Sequence, residues 1–137
     1  MLEIKRINKY FGDNHVLKNI DLQIQSNKTT VIIGSSGSGK STLLRCINLL
    51  EIPDSGVIKW ENEILDFETK ISKNVCQNFT KKTGMVFQSF NLFPHKTALE
   101  NIIEAPITVL KKSKEIAVGE AVDLLKKVGL EDKKDSY

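Results

Sequence analysis

Residues 34–41 read Gly-Ser-Ser-Gly-Ser-Gly-Lys-Ser and lie between a short apolar run and an amphipathic stretch. They match the pattern G-x-x-x-x-G-K-[ST] at every fixed position. Glycines let the backbone turn tightly and approach an anion without a Cβ in the way, and the N–H groups that open a helix favour phosphate. A flexible linker would not be flanked by Thr30-Val31-Ile32-Ile33 and a patterned helix. The segment therefore predicts a phosphate-binding loop between a strand and a helix.

Two side chains of this loop have chemistry suited to a nucleotide. Lys40 supplies a point charge for the β- and γ-phosphates. Ser41 offers a hydroxyl oxygen, the hard kind of ligand that Mg²⁺ prefers. The loop therefore predicts a nucleoside triphosphate with Mg²⁺ as its ligand.

The neighbouring segments predict an α/β fold with an attached antiparallel sheet. Apolar and polar residues alternate near Leu2–Ile4 and over Ile20–Gln25, with a turn signal at Gly12-Asp13-Asn14. Residues 66–82 are polar and predict a loop with one short helix. The other predicted elements are a buried parallel strand at 29–33, a helix at 41–50, a hairpin from 57–60 to 63–65, and a second apolar strand at 85–87.

The last third of the chain predicts helices. Thr97 and Glu100 have the spacing of a capping box, and Pro106 is expected to end or kink the helix that follows. A final helix carries one apolar stripe opposite charged residues, with Gly129 as its carboxyl-terminal cap. The stripe comprises Ile116, Ala117, Ala121, Leu124, Leu125 and Val128.

Composition excludes several classes of protein. The chain is 40% hydrophobic and 27% charged, which is typical of a globular protein. A net charge of +3 without a basic, aromatic-rich stripe argues against nucleic-acid binding. No apolar run approaches the roughly 18 residues of a membrane span, and residues 1–5 lack a signal-peptide core, so a cytoplasmic location is expected. Cys46 and Cys76 lack metal-ligand spacing, and Cys46 is expected to be buried.

Two segments resemble the ATP-binding subunits of ABC transporters. Residues 34–45 are similar to their Walker A segment, and residues 84–97, followed by Glu100-Asn101-Ile102, resemble the Q-loop region of polar amino-acid importers. The resemblance runs from Leu2 to Tyr137. It implies an incomplete P-loop NTPase fold: an antiparallel β subdomain (about 1–30 and 56–66), a P-loop core (31–52 and 84–88) and the start of a helical subdomain (95–137).

The resemblance also implies roles for individual residues. Gln88 would be the Q-loop glutamine, near Mg²⁺ and the attacking water, so that Lys40 and Gln88 are the expected catalytic residues and Ser41 and Gln88 the metal ligands. Phe11 matches the aromatic residue that stacks on adenine, although Tyr10 is adjacent and either ring could belong to the core. His95 is not expected to act in metal or acid–base chemistry. The implied ATP-binding residues are Phe11, Val16, Gly34, Ser35, Ser36, Gly37, Ser38, Gly39, Lys40, Ser41 and Thr42.

The implied partners are a second ATPase subunit, transmembrane permease subunits, and an extracytoplasmic solute-binding protein in the same system. The permease would be contacted around Gln88–Asn101, where Phe90, Leu92 and Phe93 are either contact residues or core of the helical subdomain. The implied location is the inner face of the cell membrane. Polar amino acids are the implied cargo, and methionine or another small solute stays open.

The chain contains no LSGGQ signature, no Walker B strand running into Asp-Glu and no switch histidine. The resemblance therefore implies an ATPase subunit of which these residues are the amino-terminal part. We expect this part alone to be inactive and to expose apolar surface. The alternative is a truncated or frameshifted remnant that binds nucleotide and transports nothing. A kinase or GTPase is disfavoured, because the Gln88 motif has no place in those proteins.

Overall fold

The computed structural model describes all 137 residues, which pack into two compact units, Met1–Met85 and Val86–Tyr137. The first unit contains an antiparallel sheet and two helices, and the second contains two helices and a 3-10 turn. No helix combines the length and apolarity that a bilayer crossing requires.

The first unit is built on a four-stranded antiparallel sheet of order β2-β1-β3-β4. Its strands are β1 (Leu2–Phe11), β2 (Asn14–Ile24), β3 (Ser55–Trp60) and β4 (Glu63–Asp66). The predicted hairpins are confirmed. Gly12 takes a φ of 57° in the two-residue turn between β1 and β2, a conformation that glycine adopts without a Cβ clash.

Helices α1 (Lys40–Ile47) and α2 (Lys73–Thr80) contribute apolar side chains to the core of this unit. The ring of Phe79 packs edge-on against Trp60, with the centroids 5.6 Å apart. The expected burial of Cys46 is confirmed, and that burial raises the pKa of its thiol to about 11. The buried core comprises Leu2, Ile4, Ile7, Leu17, Leu43, Cys46, Ile47, Ile58, Leu65 and Phe79.

Neither predicted apolar strand forms. Residues 29–33 and 85–87 lie outside all four strands, and the side chains of Val31, Ile33 and Val86 are 75%, 87% and 89% exposed. A buried strand needs neighbours on both edges to pair its backbone and on both faces to cover its side chains. The 137 residues supply no such neighbours for these segments. The expected exposure of apolar surface is confirmed.

The second unit pairs helices α3 (Ala98–Thr108) and α4 (Lys114–Lys127) around Ile103, Ala117 and Ala121. Thr97 and Glu100 form the predicted capping box. Pro106 does not end the helix, because α3 continues to Thr108, and the other predicted outcome, a kink at Pro106, stays a prediction.

Helix α4 ends in the conformation predicted at Gly129, which takes a φ of 71°. The N–H of Leu130 donates to the Leu125 carbonyl and that of Gly129 to the Lys126 carbonyl, the two bonds of a Schellman motif. The predicted apolar stripe is only partly buried. Ala117, Ala121 and Leu125 are buried, whereas Ile116, Leu124 and Val128 are more than half exposed.

Candidate functional site

A cavity of about 280 Å³ lies in the first unit between the glycine-rich loop and the β1–β2 hairpin. One wall is apolar and comes from Phe11, at the end of β1, and Val16, on β2. The rest is residues 37–42, which are the second half of the loop and the start of α1. The cavity therefore joins an aromatic surface to a helix amino terminus. Of the other predicted site residues, Gly34, Ser35 and Ser36 belong to the same loop and do not line the cavity.

Gly39 sets how closely the loop approaches the sheet. It precedes α1 with a φ of 90°, and a Cβ there would meet Leu17 Cδ2 at 3.1 Å and Val16 Cγ1 at 3.3 Å. Because Gly39 has no side chain, it makes no capping bond, and the first N–H groups of α1 keep no partner within the helix. The sequence thus places unsatisfied donors at the wall of the cavity.

The ammonium of Lys40 is held against the loop. Lys40 Nζ donates to the carbonyl oxygens of Ser35 (2.6 Å) and Gly34 (3.0 Å) and to Ser38 Oγ (3.4 Å). These partners are all oxygens of the loop itself. The loop therefore carries a positive charge beside the donors of α1, which is the electrostatic arrangement that binds a phosphate group.

Ser41 and Thr42 line the same cavity beside Lys40. No group of three or more His, Cys, Asp or Glu side chains is arranged to hold a metal ion. Mg²⁺ in nucleotide sites takes few protein ligands, since waters and the phosphates supply the rest. A single hydroxyl from Ser41 fits that kind of site.

Phe11 and Tyr10 occupy different surroundings, although they are adjacent. Phe11 lines the cavity and is 46% exposed. Tyr10 stacks on His15 instead, with the ring centroids 4.0 Å apart and the planes at 12°. His15 is half-buried on β2 and its Nε2 lies 2.9 Å from Asn8 Oδ1.

Gln88 belongs to the second unit, whereas the loop belongs to the first. Its side chain is exposed, and it lies in a turn closed by a bond from the Phe90 N–H to the Phe87 carbonyl. Phe90, Leu92 and Phe93 are 74%, 66% and 48% exposed. These three side chains are surface residues and not core of the second unit.

Sequence reasoning missed two residues that organise these regions. Lys9 lies over the Phe11 ring, with Nζ 5.2 Å from the centroid. Asn101 ties residues 93–97 to α3 through its side-chain amide. A signal for Lys9 was available, because a cation two positions before an aromatic residue on a strand shares its face.

A glycine-rich loop between a sheet and a helix, with its lysine held over the loop, defines the P-loop NTPase class. Comparison with known proteins gives the family: a sequence profile of the ABC transporter family matches residues 17–137. The chain belongs to the ABC transporter family, as an ATP-binding domain.

Individual relatives agree with this assignment. The chain is 50% identical over its whole length to the L-cystine import ATP-binding protein TcyC of Bacillus subtilis and covers 56% of that protein. It is 49% identical to the glutamine transport ATP-binding protein GlnQ of the same organism and covers 55% of it. Among solved structures, the ATP-binding cassette MJ0796, a post-hydrolysis dimer bound to ADP and Pi, superimposes with a TM-score of 0.81 at 31% identity. The match covers the whole of this chain and 61% of that one. The chain thus spans a little over half the length of the curated relatives it matches.

Proposed function

We propose that this chain binds ATP as the amino-terminal part of an ABC import ATPase, and that the full-length dimer hydrolyses ATP to drive uptake of an amino acid. One observation carries the proposal. Phe11, the amino terminus of α1 and the Lys40 loop line or flank one cavity. An aromatic surface at one end and a cationic loop at the other suit a ligand with a base and a polyphosphate.

Each part of the cavity has a proposed role. The backbone N–H groups of residues 37–42 and the Lys40 ammonium bind the phosphates, for which Lys40 would exchange its carbonyl partners in the loop. Ser41 supplies a hydroxyl ligand to Mg²⁺, which neutralises phosphate charge when bound. Phe11 and Val16 bind the base through stacking and apolar contact. Gly34, Ser35, Ser36, Gly37, Ser38 and Gly39 shape the loop, and Thr42 extends its polar wall.

Hydrolysis needs groups that this cavity does not contain. No carboxylate lines it, so a general base for the attacking water must come from elsewhere in the functional enzyme. We assign Gln88 to the positioning of water and Mg²⁺. We also infer that residues 1–137 alone bind ATP without turning it over, and that catalysis belongs to a dimer of longer subunits, consistent with the dimeric relative bound to ADP and Pi.

The exposed side chains of Phe90, Leu92 and Phe93 support a contact with permease subunits around Gln88–Asn101. We propose a location on the cytoplasmic face of the membrane, held there by the permease, and an extracytoplasmic solute-binding protein in the same system. The cargo is proposed to be a polar amino acid, because TcyC serves cystine and GlnQ glutamine. Within the chain, the domain division proposed is residues 1–30 and 56–66 for the β subdomain, 31–52 and 84–88 for the P-loop core, and 95–137 for the helical subdomain.

The alternative is a remnant that binds nucleotide and transports nothing. The exposure of Val31, Ile33 and Val86 in residues 1–137 is expected on both proposals and does not separate them. Intact mass spectrometry of the polypeptide from its source cells separates the two proposals. A mass well above 15.4 kDa supports the import ATPase, and a mass equal to that of residues 1–137 supports the remnant.

Steady-state ATP hydrolysis tests whether residues 1–137 lack the groups needed for turnover. Residues 1–137 and the polypeptide isolated from source cells are compared at equal concentration with Mg²⁺. We expect hydrolysis from the longer protein and none above background from residues 1–137. Turnover by residues 1–137 that is lost in Lys40→Ala would contradict the proposal that the base lies elsewhere.

A further inference from the structure

Lys9 is a cation held firmly in place near the nucleotide cavity. Its Nζ donates to the Ile52 carbonyl at 2.7 Å and lies 3.9 Å from carboxylate oxygens of both Glu51 and Asp54. Its side chain is only 13% exposed. The bonds tie β1 to residues 51–54, so the ammonium has little freedom to move.

The same ammonium lies over the ring of Phe11, 5.2 Å from the centroid. Phe11 lines the cavity and Lys9 does not. The ring therefore has a fixed cation against it and keeps 46% of its own surface exposed. A cation within about 6 Å of a ring centroid is attracted to the negative π face.

We propose that Lys9 is a positioning residue that holds the Phe11 ring at the cavity wall and so sets the affinity for the base of a bound nucleotide. The inference rests on the proposed nucleotide-binding function. Two physical effects act together. The contact with Lys9 restricts the ring, so that less side-chain freedom is lost when a base stacks on it. The cation also draws π-electron density toward itself, which reduces repulsion between the ring and a stacked purine.

Lys9 does not serve as a phosphate ligand in this arrangement. Its ammonium donates to one carbonyl and forms ion pairs with two carboxylates, and it lies outside the cavity lining. A purely structural role, in which Lys9 only ties β1 to residues 51–54, makes a different prediction. It would change stability, or binding of every ligand alike, whereas a role through Phe11 affects only ligands that carry a base.

The test compares ATP with inorganic tripolyphosphate, which offers the phosphates without a base. Binding of both, each with Mg²⁺, is measured calorimetrically on the polypeptide isolated from source cells and on its Lys9→Met, Lys9→Arg, Phe11→Leu and Lys40→Ala variants. Lys9→Met keeps an unbranched side chain, one atom shorter, and removes the charge, and Lys9→Arg keeps the charge. We expect Lys9→Met to weaken ATP binding by roughly twofold to tenfold and to leave tripolyphosphate binding unchanged. Lys9→Arg should bind ATP as the unaltered protein does.

A double-substitution cycle completes the test. In the Phe11→Leu background, Lys9→Met should have no further effect on ATP affinity, because the ring through which it acts is absent. Equal ATP affinity in Lys9→Met and the unaltered protein would overturn the inference. An equal loss of affinity for ATP and for tripolyphosphate in Lys9→Met would also overturn it. The same holds if Lys9→Met weakens ATP binding by as much in the Phe11→Leu background as in the unaltered protein. If Lys40→Ala binds both ligands normally, or the unaltered protein binds neither, the proposed function itself fails and the inference fails with it.

Discussion

Asn101 brackets the backbone of Phe93 with its side-chain amide: Oδ1 accepts the Phe93 N–H at 2.8 Å and Nδ2 donates to the Phe93 carbonyl at 3.2 Å. The same Nδ2 lies within hydrogen-bond distance of the Lys96 and Thr97 carbonyls, at 3.1 and 3.0 Å. One side chain on the first turn of α3 thus fixes the segment that presents the exposed ring of Phe93. An amide can do this because it both donates and accepts.

We expect Asn101→Ala to release this segment. Loss of the side-chain bonds should lower the free energy of unfolding by about 1–3 kcal/mol and increase hydrogen exchange at the Phe93 amide. Urea denaturation and exchange mass spectrometry measure the two effects. Asn78→Ala is the matched control, because Asn78 is exposed on α2. This substitution should neither lower the free energy of unfolding nor increase exchange at Phe93. Unaltered exchange at Phe93 in Asn101→Ala would show that the bracket does not hold the segment.

Gly56 is required by the close approach of β3 to β1. A Cβ there would lie 2.5 Å from the Arg6 carbonyl oxygen and 2.7 Å from the Lys5 carbonyl oxygen, and the φ of Gly56 is +104°. Both obstacles are backbone, so they cannot move aside. We expect Gly56→Ala to reduce the free energy of unfolding by roughly 3 kcal/mol or more.

Gly119→Ala is the control for this substitution. Gly119 is an exposed residue of α4 with open space around its would-be Cβ. Alanine there should raise stability by about 0.5–1 kcal/mol, because glycine is a poor helix former. Equal effects of the two substitutions in urea denaturation would contradict the geometry assigned to Gly56.

The two cysteines provide a chemical test of the core of the first unit. Cys46 is fully buried and the pKa of its thiol is raised to about 11, whereas Cys76 is partly exposed. Only the thiolate reacts, and at pH 8 a thiol with this pKa is ionised in about one molecule in a thousand. Iodoacetamide should therefore label Cys76 and spare Cys46 in the folded protein, and label both in urea.

Mass spectrometry of tryptic peptides measures the alkylation of each cysteine separately. In Cys76→Ser, any label that remains is on Cys46. Raising the pH toward 11 should increase the thiolate fraction of Cys46 while burial still slows its alkylation. Rapid labelling of Cys46 in the native protein at pH 8 would mean that the core around α1 is open.

Features that depend on neighbouring residues were predicted correctly from the sequence. The two-residue turn at Gly12, the capping box of Thr97 and Glu100, and the cap at Gly129 each satisfy backbone groups within a few positions. The helix that begins directly after the loop at 34–41 belongs with these, although the predicted strand before the loop does not form. Such features are independent of what packs further away.

Features that depend on distant partners were not predictable. Residues 29–33 have the composition of a buried strand, yet no strand of the sheet pairs with them. Pro106 is carried inside α3, where the packing of the helix outweighs the local cost of proline. The partners of Lys9 at residues 51–54 lie over forty positions away, so no local pattern could reveal that contact.

The proposed role of Gln88 makes a separate prediction. Its side chain is exposed in the second unit and is not part of the phosphate loop. We therefore expect Gln88→Ala to bind ATP normally while hydrolysis in the intact transporter no longer responds to transport. ATP binding and permease-stimulated ATPase activity measure the two properties, with Gln77→Ala, exposed on α2, as the control. A severe loss of ATP affinity in Gln88→Ala would argue against its assigned role.

The central claim is that the Lys40 loop binds the phosphates of ATP. It is tested most directly by titrating a fluorescent ATP analogue, with Mg²⁺, into the polypeptide isolated from source cells and into its Lys40→Ala variant. Lys127→Ala removes the same charge from the exposed surface of α4 and serves as the control. We predict saturable binding by the unaltered protein and by Lys127→Ala. In Lys40→Ala we predict a loss of affinity of roughly tenfold to a hundredfold, which corresponds to the strength of charge-assisted bonds to phosphate. Equal affinity in Lys40→Ala and the unaltered protein would contradict the account.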